Sequence, residues 1–299
     1  VAAENGNVDM TAAFTIDGDS VVSSENTNVI FTGAVVDGIA GDGAGLEVNA
    51  PSGTVTFTST IGADGDDNRL NDVRVNANEL ILNGNISTDG ALDADAGGNV
   101  DLRGTNLVTL NANVIIDTGR DGVGLGFDAG DILFGQSSRV AGVGTLGLDA
   151  AGEAAGDIQI NDADVNTITI AGGTIDLFGT IESINAIDLS GTAAIDLRDT
   201  TTLITTADEQ DINLDVPITG EHELQVISTG DVTMDTVGEL TGLTVTADTM
   251  DFTGAVSMPG DISVTVTELA TAAAIDVQAT VDSINGSVTL TTDAADSTV

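Results

Sequence analysis

One short pattern recurs along the whole chain: an apolar residue, a polar residue and a second apolar residue. Ile175-Asp176-Leu177, Ile187-Asp188-Leu189 and Ile195-Asp196-Leu197 are three copies within one segment. Side chains of a β-strand alternate between its two faces, so each copy predicts a short strand whose two apolar residues face inward. Gly, Ser, Thr and Asn fill the intervals, and these residues favour turns.

The copies repeat at a nearly constant interval. Leu224 and Leu243, Val232 and Met250, and Leu243 and Ile262 are 18 to 20 residues apart. A repeat of this length carrying two or three short strands is typical of a β-solenoid, in which stacked coils bury an apolar row that one coil cannot bury alone. The pattern therefore predicts an all-β fold, a parallel β-helix with coils of about 20 residues and about 15 coils.

We predict one continuous solenoid over residues 1–299. Residues 61–72 form the most polar break and are predicted to be a surface loop. Residues 117–157 are rich in Gly and Ala, so a domain boundary is an alternative there. Because Ile132-Leu133-Phe134 and Leu146-Gly147-Leu148 continue the pattern, we favour the same solenoid. No helical cap is evident at either end, which predicts covalent continuation in a longer chain or end-to-end self-association.

Composition agrees with a narrow core. The chain is 41% hydrophobic but only 2% aromatic, and it has no Trp, Tyr or Lys. A solenoid core is filled by layers of Val, Ile, Leu, Ala and Thr, whereas a globular core relies more on large aromatic residues. Intrinsic disorder is the competing interpretation of so much charge and glycine, but the sustained alternation and the β-branched residues argue against it.

The net charge of the chain limits the classes of partner that it can bind. A formal net charge of -42 predicts no binding to nucleic acid or to anionic membranes, and it predicts that salt or cations stabilise the fold. No apolar run approaches the roughly 18 residues that a membrane span requires. The absence of Cys rules out disulfides and thiolate metal sites.

One loop has the spacing of a calcium site. Its oxygen ligands would come from Asp64, Asp66, Asn68 and Asp72. Arg69 occupies the position of the turn glycine and Val75 that of the bidentate acid, so a solvated acidic loop is the alternative. Calcium is the one cofactor that the sequence suggests, and the fold is expected to require none.

Acidic residues at the centre of the strand pattern are predicted to face outward. If their strands share a face, they stack in ladders, and like charges directly opposite one another are destabilising. Diffuse cation binding would relieve that repulsion, and a plain solvated acidic face is the alternative. The residues are Asp9, Asp101, Asp176, Asp188, Asp196, Asp251 and Asp276.

We predict no enzymatic activity. His222 is the only histidine and lies in a predicted turn, and no nucleophile elbow or phosphate-binding loop occurs. Threonine-rich segments suggest ice binding, which needs a regular Thr-x-Thr array. The uneven coil lengths argue against such an array. The threonines concerned are Thr54, Thr56, Thr58, Thr201, Thr202, Thr205 and Thr206.

Three segments of the chain resemble filamentous haemagglutinin-like exoproteins: residues 98–119 (GNVDLRGTNLVTLNANVIIDTG), 173–206 and 55–88. The resemblance extends over nearly the whole chain and implies a right-handed parallel β-helix in a giant secreted adhesin. The secretion domain of that family is not evident here, and no Arg-Gly-Asp motif occurs. No functional residue can therefore be transferred to this chain.

These observations favour an extracellular structural protein, the β-solenoid shaft of a surface fibre or adhesin stalk. A glycan- or surface-binding adhesin module is one alternative, although the chain offers only 7 Phe as aromatic residues. An acidic surface-layer or biofilm-matrix protein stabilised by cations is the other.

Overall fold

The computed structural model is all-β. It describes residues 1–3, 6–38, 43–62, 69–88, 97–119, 128–152, 154–267 and 275–292, which form 31 strands and no helix. The chain divides into two compact units. Unit 1 comprises Val1–Asn161 and Ala171–Gly173, and unit 2 comprises Asp162–Ile170 and Thr174–Val299.

Sixteen short strands precede the residue at which unit 2 begins. They are β1 (Ala2–Ala3), β2 (Val8–Met10), β3 (Phe14–Ile16), β4 (Ser20–Ser24), β5 (Val29–Phe31), β6 (Val35–Asp37), β7 (Leu46–Phe57), β8 (Val73–Leu82), β9 (Ile86–Ser87), β10 (Val100–Leu102), β11 (Leu107–Leu110), β12 (Val114–Asp117), β13 (Ile132–Phe134), β14 (Arg139–Gly142), β15 (Thr145–Asp149) and β16 (Ile158–Ile160).

Fifteen strands follow, and among them β18 contains Ala171–Gly173 of unit 1. They are β17 (Ala163–Val165), β18 (Thr167–Ser183), β19 (Ile187–Thr205), β20 (Ile212–Leu214), β21 (Ile218–Thr219), β22 (Glu223–Ile227), β23 (Asp231–Met234), β24 (Val237–Gly238), β25 (Gly242–Ala247), β26 (Thr249–Phe252), β27 (Val256–Met258), β28 (Asp261–Val266), β29 (Ile275–Val277), β30 (Val281–Ser283) and β31 (Val288–Thr292).

Unit 1 stacks its strands in three parallel columns. The first column joins β4, β7, β8, β10, β13 and β16, and the second joins β2, β5, β7, β8, β11 and β14. The third column joins β3 to β6, and it joins β9 to β12 and β15. Bridges from Ile61 to Val35 of β6 and to Ile86 of β9 connect these two groups of strands. Most inward positions pair an apolar residue with an apolar residue of the next coil; Ile16 with Asp37 and Leu46 with Ser20 are exceptions.

Unit 2 has the same plan. Its first column joins β19, β20, β23, β26 and β29, and its second joins β19, β21, β24, β27 and β30. The third column joins the end of β19 to β22, β25, β28 and β31. One strand can serve more than one column because β19 is 19 residues long and passes through the corners of its coil.

The predicted parallel β-solenoid is confirmed. Leu224 pairs with Leu243, Val232 with Met250, and Leu243 with Ile262, which are the partners that the repeat interval predicts. The two units contain about 11 turns with a spacing of about 23 residues, fewer than the 15 predicted, because loops between the strands lengthen many coils. The strand pattern continues through Ile132–Phe134 and Thr145–Asp149, as predicted. A single solenoid through both units stays a prediction.

The core of unit 1 contains a column of stacked phenylalanine rings. Phe31 and Phe57 are register partners, and their ring centroids lie 4.7 Å apart at an interplanar angle of 10°. Phe14, on β3 of the third column, contacts Phe31 from the side, with its ring tilted by 52° and its centroid 5.9 Å from that of Phe31. Phe31 and Phe57 are fully buried. Rings repeat at the coil spacing because parallel strands lie about 4.8 Å apart.

Buried hydroxyl and amide groups occupy the corners of the coils. In unit 1, Thr105 Oγ1 donates to the carbonyl of Val75, and Ser138 Oγ donates to the carbonyl of Thr105. Asn161 Nδ2 then donates to the carbonyl of Ser138 at 3.1 Å. The carbonyl groups that leave the strand ladders at a corner are thus paired inside the protein, which avoids the cost of burying them unpaired.

Candidate functional site

The predicted calcium loop lies largely outside the described residues. Asp64, Asp66 and Asn68 belong to that part, and only Asp72 is described. Its exposed carboxylate accepts a 2.8 Å hydrogen bond at Oδ1 from the backbone N–H of Asn99 on the next coil. Across the described ranges, no three His, Cys, Asp or Glu residues are grouped so as to hold a metal ion. The calcium site stays a prediction.

Arg69, the residue at the turn-glycine position of that loop, has a structural partner. Its side chain is only 5% exposed, and Nη2 lies 3.0 Å from Asp117 Oδ2. Nη1 donates to the carbonyl oxygen of Gly119. Arg69 therefore joins two segments 50 residues apart. The sequence showed that Arg69 does not fit a calcium loop, but it did not show that Arg69 is buried.

The outward aspartates were predicted to stack in ladders if their strands share a face, and in the first column of unit 2 they form no extended ladder. In the first column of unit 2, Asp188 pairs with Asn213, Asn213 with Thr233, and Thr233 with Asp251. Asp276 follows Asp251 directly, and Gln278 Nε2 donates to Asp251 Oδ1 at 3.0 Å. Uncharged residues thus separate most of the carboxylates, because coil lengths set which residues meet. This dilution lowers the repulsion without a bound cation.

Arginine side chains neutralise others of these aspartates. In unit 1, Arg103 binds Asp101 through two 2.9 Å hydrogen bonds, and Arg74 Nε lies 3.8 Å from the same carboxylate. These three residues line a groove on the first column, together with Glu47. In unit 2, Arg198 contacts Asp176 at 3.0 Å and Asp196 at 3.1 Å. Arg74, Arg103 and Arg198 are thus paired with the carboxylates of the chain's own outward faces.

Hydrogen bonds lower the pKa of two carboxyl groups, those of Asp101 and Asp261. The side-chain hydrogen bond from Arg103 lowers the pKa of Asp101 below its ordinary value of 3.8, against the opposing effect of partial burial. The backbone N–H of Ser287, followed by its hydroxyl, lowers the pKa of Asp261. Because the folded-state pKa is depressed, each group stabilises the fold fully above its ordinary pKa and loses that contribution as pH falls towards the folded-state value.

We expect Arg103→Gln to raise the pKa of Asp101 towards its ordinary value, because the charge-assisted pair is lost. Arg74→Gln should raise it less, since Arg74 is the weakest of the groups that lower this pKa. Carboxyl carbon chemical shifts measured by NMR as a function of pH test this ranking. Equal shifts in the two variants would contradict the geometry of the pair.

A second set of polar side chains links each coil to the next, and we name its longest run the Asx ladder: Asp72, Asn99, Asp131 and Asp157. Asn99 Oδ1 accepts the backbone N–H of Asp131 at 2.8 Å, and Asp131 Oδ1 accepts that of Asp157 at 2.9 Å. Each residue directly precedes a strand of the first column of unit 1. The ladder thus extends the backbone hydrogen bonding of the strands by one residue per coil.

The same arrangement occurs at other strand starts. The acceptor is always the Oδ1 atom of an Asp or Asn, and the donor is the backbone N–H one coil further. The pairs are Asp19 with Gly45, Asn28 with Thr54, Asn85 with Ile115, Asn113 with Thr145, Asp162 with Thr180, Asp211 with Asp231 and Asp261 with Ser287.

The sequence prediction missed this role, although a signal is present, and it assigned Asp72 to a calcium loop instead. Asp or Asn stands immediately before the first Val or Ile of many strands, as in Asp72-Val73, Asn99-Val100 and Asp131-Ile132. The aspartates predicted to face outward stand instead at the centre of each strand pattern. The residue just before the strand is the one that accepts a backbone hydrogen bond from the next coil.

We expect Asp131→Ala to lower the free energy of unfolding by about 1 kcal/mol, because the N–H of Asp157 loses its acceptor. Asp131→Asn keeps an acceptor oxygen and removes a charge from a chain of net charge -42, so it should be neutral or stabilising. Urea denaturation followed by circular dichroism measures both. Equal destabilisation by the two substitutions would indicate that the charge, not the acceptor, matters.

His222 lies half-exposed in the turn before β22, where the sequence places it. Within the described ranges, no helix has the length and hydropathy needed to cross a membrane. Comparison with known proteins adds no function: no protein-family model matches the chain, and neither curated proteins nor solved structures give a match.

Proposed function

We propose that this chain is an extracellular structural protein, the shaft of a surface fibre or adhesin stalk of the filamentous haemagglutinin-like kind. The observation that carries the proposal is the use of polar side chains. Asn99, Asp131 and their equivalents bind the backbone of the next coil, and Arg103 and Arg198 bind aspartates. These side chains are thus engaged with the protein itself, and Asn99, Asp131 and Arg198 hold neighbouring coils together.

The stacking also suits a mechanical role. Adjacent coils are joined by backbone hydrogen bonds in three strand columns and by the Asx acceptors beside them. Separating two coils therefore requires many hydrogen bonds to break together. The excess of carboxylates keeps neighbouring shafts apart by repulsion. Copies would extend the stack by pairing edge strands, which readily template further strands.

An antibody raised against the purified chain tests this proposal on the cells that produce it. Immunogold electron microscopy of intact cells should label filaments at the cell surface. Permeabilised cells are the matched control, because they expose internal protein equally to the antibody. Labelling that appears only after permeabilisation would refute an extracellular shaft.

Electron microscopy of the native protein at low and high calcium tests self-association separately. Filaments at both calcium concentrations would support end-to-end pairing of strands. Filaments only at high calcium would favour a surface-layer or biofilm-matrix role that depends on cations. Single discrete particles at both concentrations would eliminate self-assembly and leave a stalk segment.

A further inference from the structure

The third column of unit 2 carries an ordered set of hydroxyl groups, which we name the hydroxyl strip. It occupies the outward positions of three neighbouring strands, β25, β28 and β31. Two residues of each strand contribute, and each is the direct register partner of its equivalent on the next strand. The strip consists of Thr244, Thr246, Ser263, Thr265, Thr289 and Thr291.

The strip is free of charge in a strongly acidic chain. Its two rows continue on β22 and β19 through Gln225, Ile227, Thr202 and Ile204, so ten adjacent outward positions hold no ionisable group. The first column of unit 2 has three aspartates among five such positions: Asp188, Asn213, Thr233, Asp251 and Asp276. The two rows themselves hold no carboxylate, and the nearest ones, Glu223 and Asp261, occupy the outward positions two residues before Gln225 and Ser263.

The hydroxyl groups of the strip have no protein partner within the described residues. Thr244 and Thr289 are exposed, and the other four residues are half-buried. Elsewhere in unit 2 threonine hydroxyls donate within the protein, as Thr249 Oγ1 does to Asp231 Oδ1 at 2.6 Å and Thr253 Oγ1 to Asp215 Oδ1 at 2.7 Å. The strip therefore keeps its donors and acceptors available to solvent.

The spacing of the strip is regular despite uneven coils. From Thr244 to Ser263 the chain runs 19 residues, and from Ser263 to Thr289 it runs 26, yet the register is unbroken. Uneven coil length therefore does not prevent a regular array at this strip, although it was the reason to expect none at the threonines named from the sequence. Neighbours are about 4.8 Å apart across strands and about 6.6 Å apart along a strand. Threonine is stiff at χ1, so the array is preorganised.

The chemistry of the strip limits the classes of ligand that it can bind. An ionic ligand needs a charged partner, and the strip has none. Protein partners are anchored mainly by Trp, Tyr and Arg, and sugar rings pack well on aromatic faces; neither feature is present. Each hydroxyl both donates and accepts a hydrogen bond, and methyl groups lie beside the hydroxyls. We propose that the hydroxyl strip binds the ordered water lattice at the surface of ice.

The test measures freezing hysteresis and partition into growing ice for the purified full chain. Thr265→Tyr places a ring at the centre of the strip and should abolish both activities. Thr56→Tyr is the matched control, because Thr56 is an outward threonine of unit 1 whose register partners are Ile30 and Ile81. It should leave both activities at the parent level, and circular dichroism should show the same fold in each protein.

Thr265→Val provides a second variant that keeps the shape and β-branching of the side chain. It should reduce hysteresis without changing thermal unfolding, because only a hydroxyl is lost. The proposal is overturned if the parent shows no hysteresis, or if Thr265→Tyr and Thr56→Tyr behave alike. Retention on crystalline cellulose or chitin with no effect on ice would also overturn it and assign the strip to polysaccharide.

Discussion

Phe31→Ala is expected to lower the free energy of unfolding by about 3–5 kcal/mol, the range for removing a fully buried aromatic ring. Phe31 is 0% exposed and packs between Phe14 and Phe57. The narrow core limits collapse around the cavity, because each inward residue is fixed by strand pairing on both neighbouring coils. Urea denaturation followed by circular dichroism is the suitable measurement, since the chain has no Trp or Tyr for fluorescence.

Phe14→Ala is the matched control for this substitution. Phe14 lies on β3 of the third column, is only half-buried, and contacts Phe31 with a tilted ring. Its loss should cost less, about 1–2 kcal/mol, because less apolar surface is removed from the core. Equal effects of the two substitutions would contradict the stacked packing of Phe31.

Arg69→Ala is expected to destabilise the fold by about 3–5 kcal/mol, because it leaves the largely buried carboxylate of Asp117 without its arginine. The carbonyl oxygen of Gly119 loses a donor as well. The exposed pair provides the comparison: Arg103→Ala should cost at most about 1 kcal/mol, since solvent screens that interaction. Denaturation midpoints of the two variants measure the difference.

A double substitution separates the charge from the packing. Arg69→Met with Asp117→Asn removes both charges and keeps an acceptor for the backbone N–H of Gly119. It should be more stable than Arg69→Ala alone, because no uncompensated charge remains buried. An Arg69→Ala protein as stable as the parent would show that the pair has no structural role.

The strand positions could be predicted from the sequence because they depend on local alternation. Ile187-Asp188-Leu189 and Leu243-Thr244-Val245 lie in strands with their apolar residues buried, as predicted. The number of residues per coil could also be predicted from the sequence where the loops are short, as between Leu224 and Leu243. In such segments the period-two pattern and the interval between copies contain all the information needed.

The neighbours across coils could not be predicted in the same way. Asp251 meets Thr233 on one side and Asp276 on the other, and the two coils concerned differ in length. Register depends on how each loop closes, and the cost of closing a loop changes slowly with its length. For the same reason the sequence did not reveal the burial of Arg69 or the alignment of Ser263 with Thr289.

The claim that parallel coils stack in this register is tested most directly by disulfide crosslinking, for which a chain without Cys has no background. Thr244→Cys with Ser263→Cys pairs register partners on neighbouring coils. Their Cα atoms should be about 4.8 Å apart, within the roughly 4.4–6.8 Å that a disulfide spans. Thr244→Cys with Thr289→Cys is the control, about 9.6 Å apart across two coils.

Mass spectrometry after mild oxidation of dilute protein should find an intramolecular disulfide in the first pair and none in the control. In unit 1, Glu47→Cys with Arg74→Cys should crosslink, and Glu47→Cys with Asp101→Cys should not. Crosslinking of partner and control pairs to the same extent, or of neither, would contradict the stacked parallel register on which the fold, the Asx ladder and the hydroxyl strip all depend.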